Sequence, residues 1–381
     1  MDFAWGDEQR KFRAAVREFI QREWGDGAGG GEEERPDRAR AYSKALASNG
    51  WLTMAWPKAY GGGAATPWEQ MIFAEESAFA SAPTGGQGAD RVGPVLMIHG
   101  TEEQKQQHLT AIAEAREVWC QGYSEPGAGS DLASLQTRAV RDGDDYVLNG
   151  QKIWTSGAQN ADWIHVLTRS DPDAPKHRGI TYLMIPMNTP GISICPIVQM
   201  HGAAGFNETF FEDVRVPAVN VIGEHNRGWY VAATALDFER SGIQRMAAAV
   251  GPFERLLKHA QTNAKSLAGT HRTAVADTAI EVEVARLLGY RVTWMQSAGL
   301  VPNQESSMSK MFGSELQQRS ARRGLNMLGL AGTLKPGNPQ AAMGGEFCDL
   351  YMRTVSVTIA AGTSEIQRNI IATRGLGLPR G

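Results

Sequence analysis

The sequence predicts a multidomain α+β fold in which a helical third, a β-rich third and a second helical third follow one another. Three observations carry the prediction. Apolar residues recur at helical spacing through the first part of the chain, short β-rich runs punctuated by tight-turn signals begin near Val118, and long amphipathic segments return after Gly228-Trp229. At 381 residues the chain exceeds the usual reach of one hydrophobic core, so two or three packed units are expected, with room to bury a large site.

Phe12, Val16, Phe19 and Ile20 mark a first helix from about Asp7 to Trp24, and the acidic, glycine-rich segment Gly25 to Pro36 then reads as an exposed loop. Helical patterning resumes over Arg38 to Asn49, Pro67 to Ala80 and Glu102 to Ala115, with Gly61-Gly62-Gly63 as a turn. Strands are expected at Tyr146 to Leu148, Trp163 to Thr168, Thr181 to Ile185 and Thr209 to Phe211. Asp142-Gly143-Asp144 and Asn149-Gly150 carry residues that allow the positive φ of tight hairpins. The later helical segments fall at about 229–264, 272–300, 304–328 and 340–374, a number suited to an antiparallel bundle. The expected domain limits are 1–117, 118–228 and 229–381.

Apolar content of 42% and charged content of 21% are ordinary for a globular protein, and a net charge of -3 gives no broad basic field for nucleic acid. Cys120, Cys195 and Cys348 are odd in number and far apart, which fits buried, inert thiols in a reducing compartment. The N-terminal residues lack a basic stretch followed by an apolar one, and no run is apolar enough to span a bilayer, so a cytoplasmic protein with no membrane span is expected. No metal site is expected.

Chemistry concentrates in two segments. Gln121-Gly122-Tyr123-Ser124-Glu125-Pro126-Gly127-Ala128-Gly129-Ser130-Asp131 sets bare backbone amides and hydroxyls beside acids, and Asn149-Gly150-Gln151-Lys152-Ile153-Trp154-Thr155-Ser156-Gly157 follows it. Glycine lets a flat or anionic ligand approach the main chain, and hydroxyls donate to it. The first segment alone reads equally as a surface turn, and Trp154 alone as a core aromatic; together they read as a ligand cradle with Trp154 as a stacking platform. A third segment, Ala361-Gly362-Thr363-Ser364-Glu365-Ile366-Gln367-Arg368, reads as a glycine break before a helix capped by Thr363.

The Ser-Glu-Pro-x-x-Gly-Ser-Asp, Asn-Gly-x-Lys-x-Trp and Gly-Thr-x-Glu-Ile-x-Arg runs, in this order and spacing, resemble those of the acyl-CoA dehydrogenases over nearly the whole chain. The resemblance implies an N-terminal helical domain, a middle β-barrel and a C-terminal four-helix bundle holding FAD and an acyl-CoA thioester. It also implies Cα–Cβ desaturation, with electrons passed on to an electron-transfer flavoprotein or similar acceptor. By the same resemblance Gln121, Tyr123, Ser124, Trp154, Thr155 and Ser156 contact the flavin, Thr363 and Glu365 meet its pyrophosphate and ribose, and Ser130 contacts CoA.

Removing a proton beside a thioester needs a carboxylate and a donor for the developing enolate oxygen. Many acyl-CoA dehydrogenases carry a glutamate just before the Gly-Thr pair; here that residue is Ala361, whose main-chain N–H remains as a donor to the thioester oxygen. In members similar to isovaleryl-CoA and steroid side-chain dehydrogenases the base sits instead on the first long helix of the bundle, a position that Glu239 matches. The plainer reading of Glu239 is a solvated helix carboxylate paired with an arginine. Asp237 and Arg240 match positions that touch CoA, and Arg240 reads equally as structural.

Two further family motifs are missing. An Arg-x-x-Phe motif that serves a neighbouring subunit's FAD is absent from Gln261 to Gly269, and a Gln-x-x-Gly-Gly-x-Gly motif with the same duty reads Asn326-Met327-Leu328-Gly329-Leu330-Ala331-Gly332. Both losses fall on the side that serves a neighbour, so a tetramer is expected in which a second family subunit completes the site, an α2β2 heterotetramer. Two alternatives stand beside the dehydrogenase: a non-catalytic partner subunit, and a redox-neutral desulfinase or lyase whose Arg91 holds an anionic substrate tail.

Overall fold

The computed structural model describes residues 5–25, 35–239, 248–263 and 269–379. Its contacts gather into two compact units: Met1–Gly29, Thr66–Ala82 and Arg240–Gly381 form one, and Gly30–Ala65 with Pro83–Glu239 form the other. Helices drawn from the first third therefore serve both units.

The second unit is built on a seven-stranded sheet of β1 (Trp119–Gly122), β2 (Arg138–Asp142), β3 (Asp145–Lys152), β4 (Trp163–Arg169), β5 (Ile180–Pro186), β6 (Ile192–Ile197) and β7 (Phe206–Pro217), in the order β1-β4-β2-β3-β7-β6 with β5 beside β4. Strands β4 and β5 are buried along nearly their full length because both faces are covered. One face packs Cys120, Ile164, Val166, Leu183 and Ile185 into a core with Leu148, Phe211 and Val214. In the same unit α2 (Arg35–Ser48), α4 (Gly93–His99), α5 (Glu102–Ala113) and α6 (Gly228–Glu239) accompany the sheet, and α6 packs on β5.

The pair Gly143-Asp144 makes the expected turn between β2 and β3, Asp142 pairing with Asp145. Asn149-Gly150 does not turn the chain: it lies inside β3 as a bulge, where the register to β7 shifts between Leu148 and Gly150. Gly150 has φ 150°, and a Cβ there would sit 2.7 Å from Thr137 Cα, so close backbone approach, not a hairpin, requires this glycine.

In the first unit α1 (Asp7–Glu23) and α3 (Pro67–Phe79) pack with α7 (Val250–Thr262), α8 (Gly269–Ser297) and α9 (Gln304–Gly332) around Met71, Val250, Phe253, Val282 and Leu316. The fully buried Glu75 carboxylate ties α3 to α1 through Arg13 and to α8 through Arg286 at 3.2 Å and the Tyr290 hydroxyl at 3.2 Å. The segment expected as one helix over 340–374 is instead α10 (Glu346–Arg353) and α11 (Ser364–Ile370), separated where Ala361 and Gly362 take positive φ angles of 52° and 84°. Of the segment expected over 229–264, the described residues form α6 and α7, and residues 240–247 lie outside them. The three thiols do not share the expected burial: Cys120 is buried, Cys195 exposed and Cys348 intermediate.

One ion pair fixes the sheet's loops. The fully buried Lys152 ammonium donates to Glu125 Oε1 at 2.7 Å and to the Tyr123 carbonyl at 3.1 Å. The other face of the Glu125 carboxylate accepts the amides of Gln136 at 2.6 Å and Thr137 at 2.8 Å. Burial alone pushes the Glu125 pKa up, but the Lys152 charge and these hydrogen bonds outweigh it and hold the carboxyl below its ordinary value. Burial also pushes the Lys152 ammonium down to about 8, against the pull of Glu125, so the pair is charged at neutral pH.

Lys152→Met leaves a buried, unpaired carboxylate and is expected to cost about 3–5 kcal/mol in the urea unfolding free energy; a loss below about 1 kcal/mol contradicts the role given to the pair. Because the folded pKa of Glu125 is depressed, its contribution is complete above the ordinary glutamate value and disappears as pH falls through the lowered one. Stability measured against pH should therefore lose part of its acid slope in Glu125→Gln.

Candidate active site

Strand β1 leads directly into the glycine-rich segment. Glu125 and Ala128 exchange two backbone hydrogen bonds of 3.0 Å, closing a turn over Pro126-Gly127, and no atom lies within 4 Å of a Cβ built at Gly127 or Gly129. Gly127, Gly129 and Ser130 are exposed, and Asp131 pairs with Lys176. An open cleft of about 430 Å³ borders this turn, lined by Pro126, Gly127, Gln136, Thr137 and Gly150.

The two sequence segments meet in space. Ile153 N–H donates to the Ser124 carbonyl at 2.9 Å, immediately after the Lys152 contacts to Tyr123 and Glu125. Trp154 then takes φ 62°, a left-handed conformation that costs a non-glycine residue roughly 1–2 kcal/mol, and it is 54% exposed, with the Phe206 ring edge-on to its own at 6.0 Å between centroids. Thr155 is fully buried, its backbone exchanging bonds with Asn207 at 3.0 and 2.9 Å. The Thr155 hydroxyl and the Asn207 Oδ1 are both buried with no hydrogen-bond partner among the described residues. Two unsatisfied polar atoms on residues bonded to each other, next in sequence to an exposed, strained indole, form a half-made polar shelf. Ser156 is exposed next to it.

A second polar layer covers the sheet face bearing Gln121. The Tyr123 hydroxyl donates to that of Tyr182 at 3.3 Å, and Tyr182 meets His165 Nδ1 at 2.6 Å. Burial, and then the nearby Arg91 charge, pushes the His165 pKa down to about 3, so the ring is neutral. Arg91 lies half-buried in a π-turn, Gly88–Val92, and donates to the side chains of Gln87 and Gln121, the latter at 3.4 Å.

The third segment belongs to the other unit. Thr363 Oγ1 accepts Ile366 N–H at 3.2 Å, so Thr363 does cap α11. Glu365 is exposed, and its carboxyl is lowered first by its own backbone amide and then by Thr363. Ala361 is exposed, and its N–H finds no acceptor among the described residues. Buried Lys310 donates to the Gly362 carbonyl at 2.7 Å, and Gln367 Nε2 reaches the carbonyls of Ala361 and Gly362 at 3.3 and 3.2 Å. The buried Ser364 hydroxyl lacks a partner among the described residues.

Glu239 and Asp237 fall on the last turn of α6 by their backbone; their side chains, and all of Arg240, lie outside the described residues. Residues that sequence reasoning missed are Glu125 and Lys152, read only as motif letters, and Asn207, Lys310, Ser364 and Gln367. Asn207 and Lys310 act through backbone groups remote in sequence, which leaves no local pattern to read.

Three family descriptions match the chain: acyl-CoA dehydrogenase N-terminal domain over residues 6–116, middle domain over 120–214 and C-terminal domain over 226–376. The chain is 39% identical to acyl-CoA dehydrogenase FadE26 of Mycobacterium tuberculosis H37Rv over 88% of its own length and 86% of the relative's. It is 36% identical to IpdE1 of the same organism over 97% and 98%. Among solved structures it is similar to the Tcur3481–Tcur3483 steroid ACAD, with TM-score 0.91, 36% identity and 100% of both chains covered. The ChsE4–ChsE5 complex from Mycobacterium tuberculosis gives TM-score 0.90 at 34% identity, again over 100% of both chains. No helix among the described residues is long and apolar enough to cross a membrane. The chain belongs to the acyl-CoA dehydrogenase family, FAD-dependent oxidoreductases of acyl-CoA thioesters.

Proposed function

We propose that this chain desaturates an acyl-CoA between Cα and Cβ, with Glu239 as the base and the Ala361 amide as a donor to the thioester oxygen. The observation that carries the reading is Ala361 itself: a methyl side chain where a carboxylate is usual, on an exposed residue whose amide has no acceptor among the described residues. The oxyanion donor is retained while the base is not, so the carboxylate must come from another element, and Glu239 on α6 matches the family's alternative position.

The shelf at Trp154 fits FAD. A planar, polar ring system suits an exposed indole flanked by a buried hydroxyl and amide oxygen that lack partners. Trp154, Thr155, Ser156, Ser124, Tyr123 and Gln121 would hold the ring system from the β unit, and Thr363 with Glu365 the pyrophosphate and ribose. Bound FAD supplies a two-electron acceptor for the β-hydrogen. Within this reading Glu239 takes the Cα proton, the Ala361 N–H stabilises the negative charge arriving on the thioester oxygen, and Ser130, Asp237 and Arg240 bind the CoA portion. An electron-transfer flavoprotein or similar carrier receives the electrons.

The same reading makes the chain half of an α2β2 heterotetramer, and its domains run over 1–117, 118–228 and 229–381. Supporting the assembly, the segment in place of the second cross-subunit motif ends α9 with a non-helical Gly329 and an exposed Leu330. Ile280, Val284, Leu287 and Trp294 also form an exposed apolar stripe along α8, a surface suited to another subunit. Two solved complexes to which this chain is similar carry two differently named components.

Glu239→Gln should lower the rate of anaerobic flavin bleaching by acyl-CoA about 10²–10⁴-fold with FAD content unchanged; ordinary bleaching removes Glu239 as the base. Purified alone the chain should be flavin-poor, and co-expression with its partner subunit should raise FAD to one per pair of chains; tight, full loading of a homo-oligomer contradicts the assembly. Thr155→Val should weaken FAD retention without lowering the melting temperature, because the hydroxyl has no partner to lose among the described residues.

A further inference from the structure

We infer that Lys310 is a positioning residue: through the Gly362 carbonyl it locks the left-handed Ala361-Gly362 turn that aims the Ala361 amide. The inference rests on the reading of that amide as the thioester donor and adds the device that holds it.

The turn is unusual for its composition. Ala361 and Gly362 both take positive φ, 52° and 84°, a conformation that glycine accepts and alanine resists. A strained residue persists only where its surroundings over-determine it. On the upstream side, the amides of Ile359 and Ala360 both bond to the Ser356 carbonyl, at 3.0 and 2.9 Å. On the downstream side the peptide planes are held by their carbonyls: Gln367 Nε2 spans those of Ala361 and Gly362, and the Lys310 ammonium takes Gly362 O at 2.7 Å. A Cβ at Gly362 would lie 2.6 Å from that Gln367 nitrogen, so a side chain there would displace the Gln367 amide as well as strain the φ of 84°.

Lys310 is only 4% exposed, although an isolated buried ammonium is costly. From the second turn of α9 its ammonium reaches the Gly362 carbonyl of this turn, and its charge also lowers the nearby Glu365 carboxyl. Charge-assisted bonds are stronger and more directional than neutral ones, so the ammonium sets the plane and the Gln367 amide braces it. With both sides of Ala361 held, its N–H on this exposed residue has no acceptor among the described residues. Preorganised donors of this kind need no rearrangement as charge develops on the substrate oxygen.

The test uses the FAD-loaded enzyme in its natural assembly, comparing wild type with Lys310→Met, Lys310→Arg and Gln367→Leu. An enoyl-CoA labelled with ¹³C at the thioester carbonyl is bound, and its carbonyl stretch is read by difference infrared spectroscopy. The wild type should lower the stretch relative to free ligand. Lys310→Met should lose most of that lowering and drop kcat on the order of 10- to 100-fold, with KM and FAD content near wild type. Lys310→Arg should recover part of both, and Gln367→Leu should show a smaller loss in the same direction. A carbonyl shift left intact in Lys310→Met overturns the inference alone, even where melting temperature falls. If Lys310→Met does not fold, an unaltered shift in Gln367→Leu overturns it. A wild type with no shift overturns the Ala361 reading, and the inference with it.

Discussion

The buried pairing of Lys152 with Glu125 is the constraint on which the β unit's ligand surface depends. A single ammonium and a single carboxylate gather the main chain at Tyr123, Gln136 and Thr137, and Ile153 continues the join through Ser124. Three loops that share no sequence proximity are thus held to one geometry. Trp154 and Thr155 follow Lys152 by only two and three residues, so their strained backbone and unsatisfied hydroxyl are set by the same anchor. A buried ion pair is seldom a net gain over packed hydrophobic groups. Its use here is to define where the main chain goes, because either member alone would be an uncompensated charge.

The other unit solves a similar problem with similar means. Glu75 is buried among Arg13, Arg286 and Tyr290, tying helices remote in sequence, and Lys310 is buried against a peptide carbonyl at Gly362. In both units a charge in a low-dielectric setting is tied to groups with a required orientation. The loss of a carboxylate at Ala361 removes a side chain from this scheme without removing the backbone turn. That separation is physically reasonable: the turn is determined by its carbonyls, and the amide it presents does not depend on what the side chain is.

Much of this was legible in the sequence, for identifiable reasons. Long helices with wide apolar faces, such as α1 and α8, and the strands β4 and β5 declared themselves by periodicity and β-branched content. The segments read as a flavin cradle were legible because glycine, serine and tryptophan sit there in a fixed local order. Asn149-Gly150 misled because a bulge and a hairpin turn ask for the same residues, and only the distance to Thr137 separates them. The glycine break before Thr363 was legible, but the left-handed backbone at Ala361 was not, because alanine is a strong helix former and bonds from Lys310 and Gln367 accompany the overruling of that preference. Asn207 was invisible because its importance lies in a contact across the sheet to Thr155.

The central claim is that the base has left the Gly-Thr turn for the end of α6 while the turn keeps its oxyanion donor. A crystal structure of the FAD-loaded assembly with a bound acyl-CoA or close analogue tests it most directly. The account predicts a Glu239 carboxylate oxygen about 3–3.5 Å from the substrate Cα, with the Ala361 amide on the thioester oxygen. A solvated Glu239 with a different carboxylate facing Cα would contradict it.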